Sequence, residues 1–144
     1  PLAVNKMSRA ALLLLTALSL PAVAASGSWS DTQRGVVLQN RGVMMSSGVL
    51  APQASSPVRS KGSATITTVS WKFELLGARP AGLQVKLCNN SNHCTGLDAD
   101  SGVTKSFYGQ TALSPFRLVY FVPGSGAMNF PLRVMSNQVI VNYR

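Results

Sequence analysis

The chain has 144 residues, 13 basic against 4 acidic, and a formal charge of +9. That length fits one domain. Basic residues are scattered singly from Arg34 to Arg144 with no run, which excludes the usual electrostatic footprint of a nucleic-acid binder.

The first 24 residues read as a leader. Lys6 and Arg9 supply positive charge, Ala10 to Leu20 form a short apolar run, and Pro21 precedes Ala22-Val23-Ala24, a small-x-small cleavage pattern. The run is too short for a bilayer span, which needs about 20 apolar residues. No Cys stands at the cleavage point, so a lipoprotein is not indicated, and Met7 is the expected start. Removing residues 1–24 from 144 leaves 120 residues and takes away Lys6 and Arg9. Basic residues fall from 13 to 11 against 4 acidic, a charge of +7. Such a charge favours anionic lipid, cell-wall polymer or an acidic protein face. With the leader cut, no transmembrane anchor is expected in residues 25–144.

In the remaining chain, Trp29 is expected to anchor a first strand. Val36, Val37 and Leu38 begin a second apolar run that ends at the turn signal Asn40-Arg41-Gly42. Residues 46–63 are rich in Ser, Pro and Gly, offer few side chains to a core, and read as a long surface loop. Val69, Trp71, Phe73 and Leu75 then alternate with Ser70, Lys72 and Glu74, the period of a half-buried strand. Ile66 is out of phase with them, which places a bulge near Thr67 and Thr68. After Gly77, Pro80 and Gly82, alternation resumes at Leu83, Val85 and Leu87. We expect these two runs to pair, with Cys88 on the polar face of the second.

Cys88 and Cys94 are the two cysteines of the chain. In an exported protein they most simply pair with each other across the small polar loop NNSNH. A metal site of Cys88, His93 and Cys94 is the alternative, but structural zinc usually takes four protein ligands and no second cluster exists. Asp98 to Gly102 is read as an acidic turn; an EF-hand would need further ligands and a late Glu, and the only Glu is Glu74. Val103 to Tyr108 suggests a short strand, and Phe116 to Val122 a centrally buried one. Leu132 and Val134, then Val139, Val141 and Tyr143, are expected to frame a closing hairpin at Ser136-Asn137. The whole describes an all-β protein: a small single-domain β-sandwich or partly open barrel over residues 25–144, with one intra-hairpin disulfide.

Few residues of the chain offer chemistry. His93 is the only histidine; Asp98 and Asp100 are near it in sequence, but no nucleophile elbow accompanies them. No phosphate-cradling loop is present: Gly124-Ser125-Gly126 follows Pro123 and no helix is expected after it. No catalytic, cofactor-binding or metal-binding residue is assigned, and no enzyme or cofactor is expected.

The segments WKFELLGARPAGLQVKLC (Trp71 to Cys88) and LRVMSNQVIVNYR (Leu132 to Arg144), together with Trp29, LQNRGVMMSS and the final Asn-Tyr-Arg, resemble the flagellar FlhE family. The resemblance implies a small periplasmic β-protein, an accessory of flagellar type III export. Such a protein would limit proton leakage through the export gate or chaperone flagellar subunits, with export-gate or flagellar subunit proteins as partners. A periplasmic hydrolase or envelope-polymer binder, built on a cleft holding His93 with Asp98 or Asp100, is the competing reading. For binding, Gln138 to Tyr143 is a candidate open sheet edge that adds a client strand. Ile140 would lie on its free face, with Arg133 and Arg144 steering an acidic client. The competing expectation is that this strand closes the sandwich and is paired on both sides.

Overall fold

The computed structural model describes residues 26–144; the leader reading of residues 1–24 lies outside them. Eight strands form two antiparallel sheets. They are β1 (Gly27–Asn40), β2 (Met45–Ser46), β3 (Ile66–Leu76), β4 (Gln84–Asn89), β5 (Cys94–Leu97), β6 (Ser101–Thr104), β7 (Phe116–Phe121) and β8 (Ala127–Tyr143). The first sheet has the order β1-β8-β3-β6 and the second β2-β7-β4-β5. Their inner faces pack into an open sandwich, as the alternation of apolar residues implies.

The alternating run predicted from Val69 to Leu75 is β3, and its side chains obey the period: Val69, Trp71 and Phe73 are buried while Lys72 and Glu74 are exposed. The expected bulge is present, since Ile66 faces Tyr143 and Thr68 faces Asn142, leaving Thr67 unopposed. Val85 and Leu87 are buried on β4. However, β3 and β4 do not pair. They lie in opposite sheets, and residues 77–83 carry the chain across the sandwich. The partners of β4 are β7 and β5, a strand the polar loop concealed. The disulfide therefore closes the β4–β5 hairpin. Cys88 keeps the outward phase of Lys86 that the alternation gives it, opposite Arg117, yet it is buried.

β8 also departs from the expected hairpin. Leu132 and Val134 face inward, as do Asn137, Val139, Val141 and Tyr143. The phase changes between them, and a hairpin was the expected cause. The actual cause is a bulge. Glu74 faces Ser136 and Leu75 faces Val134, so Met135 is the extra residue and β8 runs on as one strand. Its neighbour β1 changes phase at the same level. Trp29 is buried on one side of this point and Val36 and Leu38 on the other, so the two expected runs are one strand of 14 residues. Gly35 sits across from Met135, and a Cβ there would lie 2.5 Å from the Val134 carbonyl oxygen. Only glycine lets the two backbones close this tightly.

β8 is also not an edge. Ile140 faces Ser30 of β1 on one side and Ser70 of β3 on the other. Strand addition along Gln138 to Tyr143 is closed off because both sets of backbone groups are already paired.

Residues 46–63 are less loose than their composition suggests. Leu50 and Val58 are fully buried, Val58 within a 3-10 turn at Pro57–Ser60. The Leu118 amide donates to Ser47 Oγ at 3.0 Å, and Leu50 and Phe116 exchange two backbone hydrogen bonds of 2.8 Å. Residues 46–50 thus lie along β7. The predicted Val103–Tyr108 strand stops at Thr104, and Phe107 leaves it to fill the core.

Aromatic side chains join the layers. Phe73 of the first sheet meets Tyr120 of the second edge-on, with centroids 5.7 Å apart. Phe107 meets Phe116 in the same way at 4.9 Å. Trp29 Nε1 donates to the Ala112 carbonyl at 2.7 Å, and Trp71 Nε1 to that of Ala99 at 2.9 Å. Each indole thereby buries its ring without stranding its donor.

Candidate functional site

The outer face of the second sheet carries a groove of about 400 Å³. Its floor follows from strand alternation. Val119 and Phe121 of β7 face outward on either side of the buried Tyr120. Beside them, Gln84 pairs with Phe121 and Lys86 with Val119. Met44, 65% exposed, forms a wall together with Gly42.

That wall is held from behind. Gly42 N donates to the Val122 carbonyl and Arg41 N to that of Gly126, both at 2.8 Å. Gly42 has φ of 79°, and a Cβ there would meet the Gly124 carbonyl oxygen at 2.5 Å. A side chain at this position is excluded twice, by conformation and by space.

A second depression, about 390 Å³, shares Gln84 and Lys86 and extends over Gly96 and Leu97 to Asp98. Gly96 lies directly opposite Lys86, and its missing side chain lowers the floor at the sheet edge. Arg117 pairs with Cys88. It is thus a diagonal neighbour of Lys86 on the same face, at a distance of about 7–8 Å.

The charges sharpen the picture. Two ion pairs form among the described residues, Lys72–Glu74 at 3.5 Å and Arg79–Asp100 at 2.7 Å. Asp31 accepts from the amides of Thr32 (2.9 Å) and Ala51 (3.0 Å). Three of the chain's four acids are therefore engaged, and none lines the groove beside Met44.

The residues singled out from sequence are not brought together. Cys88 and Cys94 are bonded, with an S–S distance of 2.04 Å. Arg133 lies on the outer face of the first sheet between Val37 and Leu76. Ile140 lies further along that face and is 37% exposed. Arg144 donates to the Tyr108 hydroxyl at 2.6 Å, and its backbone is tied to Thr65. Arg133 and Arg144 are eleven residues apart along one extended strand, roughly 35 Å.

His93 is set apart from both carboxylates. Its ring packs against Phe107 with centroids 5.1 Å apart, and its amide donates to Asn89 Oδ1 at 2.9 Å. Asp98 lies beyond the other end of β5, roughly 16 Å of extended chain away. Asp100 is held by Arg79. His93 and Asp100 are thus held by different neighbours, and the three groups are not gathered at one point. The groove residues Met44, Lys86, Val119 and Phe121 were missed from sequence. One signal did exist: Val119 and Phe121 are apolar on the outward phase of β7.

These features define a small two-sheet domain with a disulfide-closed hairpin and a preformed apolar groove edged by cations. The model of the family "Flagellar protein FlhE" matches residues 35–144, and the chain belongs to that family. The Flagellar protein FlhE of Salmonella typhimurium is 47% identical over 132 residues, covering 92% of this chain and 95% of that protein. A solved structure described as that of FlhE superposes with a TM-score of 0.76 at 45% identity, covering 84% of this chain and 99% of that one. A serine protease of Aeromonas sobria superposes with a TM-score of 0.63 at 11% identity over 29% of its own chain. At that identity the likeness is one of fold alone.

Proposed function

We propose that this flagellar protein is a non-enzymatic accessory of flagellar type III export that works in the periplasm. It arrives there through a leader cut after Ala24, and residues 25–144 act as one domain. It limits proton leakage through the export gate, holds flagellar subunits on the periplasmic side, or does both. The observation that carries this reading is the family match over residues 35–144. The groove supports it, because a domain that works by binding needs a surface shaped before its partner arrives.

Two measurements test the reading in cells lacking the native protein. Mass spectrometry of the periplasmic fraction should find a chain beginning at Ala25 or Ser26; an uncut leader sinks the export step. Re-expression should restore cytoplasmic pH after an acid shift, or raise the soluble fraction of periplasmic flagellar subunit. Failure of both readouts with abundant folded protein contradicts the proposed role.

A further inference from the structure

We infer that the groove of Met44, Val119 and Phe121, flanked by Lys86 and Arg117, docks an acidic amphipathic protein segment, one that presents carboxylates beside apolar side chains. The inference rests on the non-enzymatic binding role proposed above and names the surface and the kind of partner. Three observations carry it.

First, the groove is apolar where an outward sheet face is ordinarily polar. Val119 and Phe121 are half-buried and line the groove, with no strand or loop of the described residues laid over them. Methionine forms the wall, and its unbranched thioether adapts to side chains of differing shape.

Second, the charge is one-sided. Lys86 and Arg117 point out from adjacent strands, and neither takes part in the ion pairs of the described residues. No acidic side chain lines the groove itself; Asp98 lies at the far end of the adjoining depression that shares Lys86, and it forms no ion pair with Lys86. A carboxylate arriving beside an apolar anchor would meet unneutralised cations, which favours encounter and rejects basic partners.

Third, the shape and charge discriminate among occupants. The groove is concave and walled by a turn fixed through Gly42 and Gly124. A lipid surface is better met by protruding apolar residues. The most prominent of these, Phe130 at 86% exposure, lies on β8 in the other sheet. A second copy of this chain would bring another cationic face, since residues 25–144 carry 11 basic and 4 acidic residues. An acidic protein segment satisfies both the groove and its rim.

The test uses the exported chain, residues 25–144, and fluorescein-labelled 15-residue peptides. One peptide carries Leu and Phe at helical spacing with Glu on the flanks. A second replaces Glu by Lys, and a third replaces the apolar residues by Ser. Fluorescence anisotropy should show the acidic amphipathic peptide binding at least tenfold more tightly than either control. Met44→Asp should weaken it at least tenfold. Lys86→Glu with Arg117→Glu should reverse the preference toward the Lys peptide. These side chains are on the surface, and unchanged melting temperatures establish that the variants fold.

Equal binding of the Ser peptide would reduce the interaction to charge and overturn the inference. So would indifference to the substitutions, or binding to phosphatidylglycerol vesicles that Met44→Asp abolishes while no peptide binds. Self-association in sedimentation that Met44→Asp abolishes would assign the face to a second copy and overturn it equally. Failure here with intact complementation in cells removes the surface and leaves the flagellar role. Peptide binding without complementation removes the role and leaves the surface.

Discussion

The Tyr120 hydroxyl donates a hydrogen bond to Asn137 Oδ1 across the interior of the sandwich, joining β7 of one sheet to β8 of the other. Asn137 is fully buried, and its Nδ2 has no partner among the described residues. A polar pair inside an apolar core costs stability unless it is satisfied, so the Tyr120 hydroxyl is what makes Asn137 tolerable there. Tyr120→Phe leaves both polar atoms of the amide unpaired. The expected loss is about 1–3 kcal/mol, read as a lower denaturant midpoint.

The same hydroxyl predicts a dependence on pH. Burial, and then the charge of Asp100, raise its pKa well above the ordinary value of 10.0. Below that value the phenol is neutral in the folded and unfolded chain alike. Above it the unfolded tyrosine loses its proton while the folded one keeps it, so stability falls as pH rises past about 10. Urea midpoints of the wild type should therefore decline in this window. Tyr120→Phe should decline less steeply across the same window.

Ile140 sits between paired neighbours on β1 and β3. Ile140→Pro removes a ladder donor whichever side that donor serves, so the chain should fail to fold. Ile140→Lys places its charge on the outer face of the first sheet and should cost about 1 kcal/mol or less. Circular dichroism melts of the two variants separate a central strand from an edge. A folded Ile140→Pro monomer would contradict the sheet order.

The Cys88–Cys94 bond spans a sequence separation of six. A loop so short restricts the unfolded chain modestly, and Cys88→Ser should lose about 2 kcal/mol by the entropic account while the fold survives. Free-thiol labelling of the wild type without reductant should fail at both cysteines.

How far the sequence could be read is clearest along β8. Its alternation was visible, and so was the change of phase between Val134 and Val139. What no local pattern discloses is whether a phase change marks a turn or a bulge. Both shift side chains by one position; the difference lies in a partner strand far away in sequence. Gly35 was the distant clue, since β1 shifts with β8 and needs a residue without Cβ where Val134 approaches. Thr67 was legible because Ile66 and Val69 are out of phase within one strand. The pairing of β4 with β7 was not, because nothing in a strand's own residues says which sheet receives it. The disulfide was read from two cysteines and a loop, and the groove was hidden because it joins three segments remote in sequence. Its pieces, an apolar outward phase on β7 and an exposed methionine after a glycine turn, acquire meaning only side by side.

In the proposed role this FlhE-family chain would act by binding, through the outer face of its second sheet. The most direct measurement is complementation of cells lacking the native protein, with cytoplasmic pH after an acid shift and soluble periplasmic flagellar subunit as readouts. Met44→Asp with Lys86→Glu should be exported, keep the wild-type melting temperature and fail to restore either readout. Ile140→Lys on the opposite sheet should restore them. Full restoration by the folded groove variant would contradict the claim.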